Sequence, residues 1–282
     1  MPLVLGKMNP KEKFVDVRKL IEARNKKLLK WLPGFFIRWI EKIIHQDDVN
    51  EFMEKYRDVD EYEFCEGAVE HFNLKLSLKG KENIPSSSTP CIFCSNHPLG
   101  GMDAITVIHL FKEVRPDIHF IVNDLLMHVK PLKGKFIGVN KIGKNAASSL
   151  QLVENQFASE EATFIFPAGL VSRKIKGEIM DLEWKKTFVS KAKKYKKQVI
   201  PVYINGGLTN RFYRLANIRK FLGIKLNIEM FFLVDELFRQ KNMKIGITIG
   251  KPIDHTSFTK ERTDVEWANY VKEEVYKLKE AM

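Results

Sequence analysis

From about residue 73 onward, one feature limits what this chain can become: short apolar runs recur with helix-length stretches between several of them. The runs are LKLSL, CIFCS, IHFIV, FIGV, ATFIF, VIPVYI and KIGITIG, and amphipathic stretches occupy residues 103–114, 145–159, 184–196 and 209–222. Short apolar runs of this kind have strand character. Strands that alternate with helices are joined by crossovers, so the pattern predicts an α/β fold with a mostly parallel central sheet flanked by helices. In such sheets, reacting groups gather beyond the carboxyl ends of the strands.

The preceding residues read as a helical extension. Phe14, Val17, Ile21, Leu28 and Leu32 roughly keep a helical spacing before Pro33-Gly34 breaks the chain. In GFFIRWIEKIIHQDD, Arg38, Glu41, Lys42 and His45 fall at i, i+3, i+4 and i+7 and make one narrow polar stripe. Phe35, Phe36, Ile37, Trp39, Ile40, Ile43 and Ile44 cover the rest of that helix. So much apolar surface suits either the interface of a bilayer or the body of the protein, and the sequence leaves both open. The expected division is an N-terminal helical segment, residues 1–72, and a main domain with a C-terminal helix, residues 73–282. No window reaches the ~18 uncharged apolar residues that would span a bilayer, so any membrane contact is expected to be peripheral.

Charge narrows the partners. A formal net charge of +12 calls for an anionic one: nucleic acid, an acidic membrane surface or an acidic carrier. The cations are spread along the chain, and no RNA-recognition, zinc-finger or helix-turn-helix signature accompanies them, which argues against nucleic acid. Three cysteines are too few for a disulfide framework and suit a reducing compartment. Cys91 and Cys94 form a CxxC, but CIFC reads as buried strand, and no companion cluster suggests a metal.

Two strand ends carry the chemistry. CIFCS runs into Asn96-His97, Pro98 stops regular structure, Gly100-Gly101 permits a tight turn, and a helix is expected to start near Asp103. A histidine held by a carboxylate is a general base, because the carboxylate fixes its tautomer and stabilises the imidazolium. The same spacing also suits a loop histidine beside a helix cap, and spacing alone does not choose between them. There is no GxSxG elbow and no evident activated nucleophile, so a His–Asp pair here would act directly on a substrate hydroxyl. ATFIFPAGLVSRK is the second strand end, breaking at Pro167 into Ala168-Gly169 with Ser172, Arg173 and Lys174 beyond. Amides and cations at such a position suit an anion or a polarised carbonyl, although a solvated turn has the same composition.

Together, NHPLGGMDA, FPAGLVSR and VIPVYING resemble the glycerolipid acyltransferase superfamily over about residues 73–255. In particular they are similar to the bacterial hemolysin-like branch, which includes O-acyltransferases that finish ornithine and glycine lipids. DLEWKKTFVSKA, GLTNRFYRLANIRKFLG and VDELFRQKNMKIGITIGKPI extend the likeness. The resemblance implies catalytic roles for His97 and Asp103, with Asn96, Gly169, Ser172, Arg173 and Lys174 in substrate binding and no metal. It implies no tightly bound cofactor. Acyl carrier protein or coenzyme A would bring the acyl group as a thioester, a lyso-lipid would accept it, and the protein would lie peripherally on the cytoplasmic face of the inner membrane.

Two departures from the superfamily pattern bear on the acceptor. Five residues, PLGGM, separate His97 from Asp103, where four are usual, and Ala168 stands where a glutamate is common. Both point away from 1-acylglycerol-3-phosphate and toward a monoacylated amino-acid lipid of the lyso-ornithine or lyso-glycine type. PLKGKFIGVNKIGKN is the weakest match, with Asn140-Lys141 where an arginine is often found. Outside this class, the rival is a non-enzymatic membrane-surface or lytic protein, which would need neither His97 nor Asp103.

Overall fold

The computed structural model describes residues 13–24, 26, 31–139, 146–224 and 227–281. Leu28, Asn140 and Lys141 lie outside the described residues. All seven apolar runs are strands. In chain order the strands are β1 (Lys75–Lys79), β2 (Cys91–Ser95), β3 (His119–Asn123), β4 (Phe136–Val139), β5 (Thr163–Ile165), β6 (Arg173–Ile175), β7 (Glu178–Met180), β8 (Gln198–Ile204) and β9 (Lys244–Ile249). The helices are α1 (Val17–Arg24), α2 (Gly34–Ile43), α3 (Gln46–Lys55), α4 (Glu61–His71), α5 (Gly101–Phe111), α6 (Ala146–Ala158), α7 (Thr187–Tyr195), α8 (Asn210–Phe221), α9 (Leu233–Phe238) and α10 (Asp264–Lys277).

The main sheet runs in the order β1-β9-β8-β2-β5-β3-β4. Every neighbouring pair is parallel except β8 with β9. That one reversal matters for function. The connection from β8 to β9 leaves and re-enters at the same end of the sheet, so α8 and α9 lie over the carboxyl ends of β2 and β8.

Burial on both faces explains the unbroken apolar runs. Cys91 and Phe93 of β2 enter a core shared with α4 and α5, whereas Ile92 and Cys94 enter one shared with α7 and α10. Successive strand side chains point to opposite faces. Cys91 and Cys94 are therefore on opposite sides of the sheet, both fully buried, and cannot share a ligand. Full burial of a side chain such as Phe93 contributes about 1.5–3 kcal/mol.

At the N-terminal side, Asp60 caps α4 by accepting from the Tyr62 and Glu63 amides, and α4 then buries Phe64, Cys65 and Ala68. α2 behaves differently. It buries Ile37, yet Phe35 is 68% and Trp39 51% exposed, with Trp31 just before it at 83%. Its far end is tied to the body where His45 Nε2 meets Asp235 Oδ1 at 3.0 Å and the imidazole stacks on Phe238. Among the described residues, no helix is long and apolar enough to cross a membrane.

One element differs from expectation. Arg173 and Lys174, read as loop residues, lie on β6 of a small antiparallel hairpin with β7. Lys176 and Gly177 form its two-residue turn at φ 50° and 91°. Positive φ at both positions matches the right-handed twist of a hairpin, and a lysine–glycine pair can supply it.

Candidate active site

Three local constraints shape the end of β2. The Asn96 side chain bonds both backbone groups of Ile204, accepting from its N–H at 2.7 Å and donating to its carbonyl at 2.8 Å. This extends the β2–β8 ladder by one rung and sets the exit angle of the chain. Pro98 disfavours a helical conformation at His97, which lies between the end of β2 and the start of α5. Gly100 then turns at φ 70° and α5 begins at the next residue.

The result is a tight pair. Asp103 Oδ2 lies 2.8 Å from His97 Nδ1 and also accepts the Leu99 amide at 2.9 Å. Asp103 is fully buried, and its burial pushes the carboxyl above the ordinary carboxylate range against the opposing pull of His97 and Leu99 N–H. Asp103 Oδ1 has no hydrogen-bond partner. The His97 ring stacks on Phe166 with centroids 4.0 Å apart and keeps 19% of its side chain exposed. With Nδ1 engaged by the carboxylate, Nε2 is the nitrogen left for a substrate proton, the arrangement a general base requires.

The second strand end is locked to the first. Ser172 N–H donates to the His97 carbonyl at 2.8 Å. Beneath both loops sits Asp181, which is 1% exposed. Its Oδ1 accepts from Ser172 Oγ at 2.5 Å and from His97 N–H at 3.2 Å, and its Oδ2 accepts from Trp184 Nε1 at 2.9 Å. Asp181, Phe166 and Trp184 were not singled out in the sequence. Their only signal is that DLEWKK and FPAG fall within the blocks that carry the resemblance.

Several expected binding residues are occupied otherwise. Asn96 spends its amide on Ile204, and Ser172 spends its hydroxyl on Asp181. Gly169 N–H closes a turn onto the Phe166 carbonyl at 2.9 Å, so this amide is engaged within the loop. Arg173 is 7% exposed and pairs with Glu229 at 2.9 Å, while Lys174 on the opposite face of β6 reaches Asn210 Oδ1 at 3.0 Å. Adjacent strand residues point apart, so these two cations cannot hold one head group together. Another cation, Lys185, lies against Gly169. A Cβ built on Gly169, whose φ is +67°, would stand 3.0 Å from Lys185 Nζ. Glycine at this position therefore lets the Lys185 ammonium close over the loop.

The region covering the pair is equally close-fitting. A Cβ on Gly206 would lie 2.7 Å from Leu99 Cδ2, and Gln240 Nε2 donates to the Leu99 carbonyl at 3.0 Å. The β8–β9 connection thus presses on Leu99, one of the five residues between His97 and Asp103. Among the described residues, no group of three His, Cys, Asp or Glu could hold a metal ion.

A family model described as Acyltransferase matches residues 18–282. The chain belongs to this acyltransferase family. Two curated relatives, both named lyso-glycine lipid O-acyltransferase, come from Bacteroides thetaiotaomicron and Phocaeicola vulgatus. Each is 40% identical over 266 residues, covering 94% of this chain and 97% or 95% of the relative. Among solved structures, the 1-acyl-sn-glycerophosphate acyltransferase PlsC from Thermotoga maritima is similar at TM-score 0.48 and 19% identity, covering 93% of this chain and 98% of that one. A likeness this loose does not bear on the acceptor. As an acyltransferase the protein is an enzyme that takes an acyl donor as co-substrate, which sets aside the non-enzymatic lytic reading.

Proposed function

We propose that this acyltransferase moves a fatty acyl group from a thioester to the hydroxyl of a lyso-glycine lipid. The reading is supported above all by the His97–Asp103 pair at 2.8 Å, at a strand end in a chain so similar to the two lyso-glycine lipid O-acyltransferases. His97 Nε2 takes the hydroxyl proton as the acceptor oxygen attacks the acyl carbon. The C–O ester bond forms, the C–S bond breaks, and the departing thiolate takes the proton from the imidazolium. Asp103 fixes the imidazole through Nδ1 and balances its transient charge. Lys185 and the amides of the Ala168–Val171 loop are the candidates for charge developing on the thioester oxygen, in place of the Gly169 amide.

The donor is acyl carrier protein or coenzyme A, and a chain with net charge +12 complements either anionic donor. The acceptor is a membrane lipid, so the protein works peripherally on the cytoplasmic face of the inner membrane. The exposed Trp31, Phe35 and Trp39 beside α2 provide a bilayer contact, because aromatic side chains partition into the headgroup region.

Lipid mass spectrometry of a strain lacking the gene tests the acceptor. Accumulation of monoacylated glycine lipid, with loss of its diacylated form, is the expected result. Accumulation of lysophosphatidic acid instead, with glycine lipids unchanged, would reassign the acceptor to glycerol phosphate.

A further inference from the structure

The distal end of α8 is as exposed and apolar as α2, and it lies far along the chain from it. Phe221 is 90% exposed, Leu222 61% and Ile218 55%, and Phe231 in the neighbouring turn is 66% exposed. That turn, residues 228–232, packs against α8, which brings Phe231 to the same helix. From Trp184 to Ile228 the sequence has no Asp or Glu, and α8 itself carries Arg211, Arg214, Arg219 and Lys220. Two of its cations are paired inward, Arg219 with Glu229 and Arg211 with Asp235, which leaves the exposed charge of α8 to Arg214 and Lys220. Arg214 and Lys220 are exposed, set among the exposed apolar residues. Bulky apolar residues with interleaved cations complement an anionic lipid surface, where the apolar groups enter the acyl boundary and the cations meet the phosphates.

A second feature ties this end to the reacting groups. Glu229 is fully buried, accepts a hydrogen bond from Arg173 Nη2 at 2.9 Å, and forms an ion pair with Arg219, whose Nε lies 2.8 Å from Oε2. Arg219 stands between Ile218 and Lys220 on α8, and Glu229 lies two residues before Phe231. Arg173 follows Ser172, whose amide holds the His97 carbonyl. A continuous chain of contacts therefore runs from the exposed apolar residues to the backbone of the candidate base. Since α8 belongs to the connection over the carboxyl end of the sheet, a bilayer meeting it would face the end of the sheet where His97 lies.

We propose that the apolar end of α8, with Phe231, is a second bilayer-contact element specific for anionic lipid, and that Arg219–Glu229–Arg173 holds it in fixed relation to the active site. It rests on the preceding reading only in taking the acceptor to be a bilayer lipid. Binding is measured without donor or acceptor, so it succeeds or fails separately from acyl transfer.

The experiment is co-sedimentation of the full chain with vesicles of phosphatidylethanolamine and phosphatidylglycerol, three parts to one. Phe221→Ser, Leu222→Ser and Phe231→Ser combined should weaken partitioning roughly tenfold or more. Arg214→Glu with Lys220→Glu should weaken it by a similar factor on these vesicles and leave binding to wholly zwitterionic vesicles unchanged. All five residues are exposed, and an unchanged melting curve shows that each variant has kept its fold. Phe35→Ser with Trp39→Ser should give a separate loss that adds to that of the α8 variants. The proposal is overturned if both α8 variants bind vesicles as the parent does. It is equally overturned if they instead dissociate a dimer of this chain, or lose binding to acyl carrier protein while keeping that to vesicles.

Discussion

Replacing His97 with alanine should lower kcat/KM for acyl transfer by roughly a hundredfold to ten-thousandfold, the usual range for removing a general base. The variant also leaves the fully buried Asp103 carboxylate with only the Leu99 amide as partner, so a loss of about 1–3 kcal/mol in stability should accompany the kinetic effect, and turnover is to be compared at a temperature where both proteins are folded. Comparison with Asp103→Asn gives the prediction its detail. Asp103 Oδ2 accepts both Leu99 N–H and His97 Nδ1. A backbone amide can only donate, so an asparagine must place its oxygen at that position and its amino group where the unpartnered Oδ1 now sits. The histidine tautomer is then preserved and only the counter-charge is lost. We expect a fall of about ten- to a hundredfold in kcat, smaller than that of a variant forced into the wrong tautomer. KM should be unchanged, because Asp103 is fully buried and touches no substrate. The cost in stability is about 1–3 kcal/mol for the amino group buried without an acceptor. Near-normal turnover in His97→Ala would remove the mechanism. A loss in Asp103→Asn as deep as that in His97→Ala would show that Asp103 does more than balance charge.

How much of this was legible beforehand follows from the range of each interaction. The strands were readable from signals within each segment: burial on both faces leaves continuous apolar runs in β2, β5, β8 and β9, while the edge strand β1 shows alternation instead. The His97–Asp103 contact was legible because both residues sit on one turn between a strand and a helix, with glycines to close it. The hairpin at Lys176-Gly177 was not, since its strands are three residues each and too short to show a pattern. The intramolecular partners of Asn96, Ser172 and Arg173 were not legible for a common reason. Each is polar and adjacent to the motif, but their partners Ile204, Asp181 and Glu229 lie 108, 9 and 56 residues away. Only the folded chain shows that these groups are already satisfied. The same holds for Lys185, which comes over Gly169 only because the two loops stack.

Glu229→Ala should be among the most destabilising single changes in the main domain. Glu229 is fully buried between Arg173, whose side chain is 8% exposed, and Arg219 at 16%. Removing it leaves two cations near each other without a counter-charge, and Arg173 already sits below the ordinary arginine range because burial disfavours its charged form. Breaking a buried ion pair from one side costs about 3–5 kcal/mol. In a urea titration the midpoint should fall accordingly, and a change below about 1 kcal/mol would contradict a buried triad. Arg173→Met combined with Glu229→Leu makes the sharper comparison. Apolar replacement of both partners removes the desolvation penalty together with the attraction, so stability should return to near that of the parent, with Arg219 left to reach solvent. The double variant then separates two roles. Should the triad only stabilise, acyl transfer will recover along with the fold. Should it also hold the Ser172–His97 backbone contact and the end of α8 in register, the folded double variant will have lower kcat on vesicle-borne acceptor than on the same acceptor in detergent. We expect the second result, because Arg173 is the residue next to the one that grips His97.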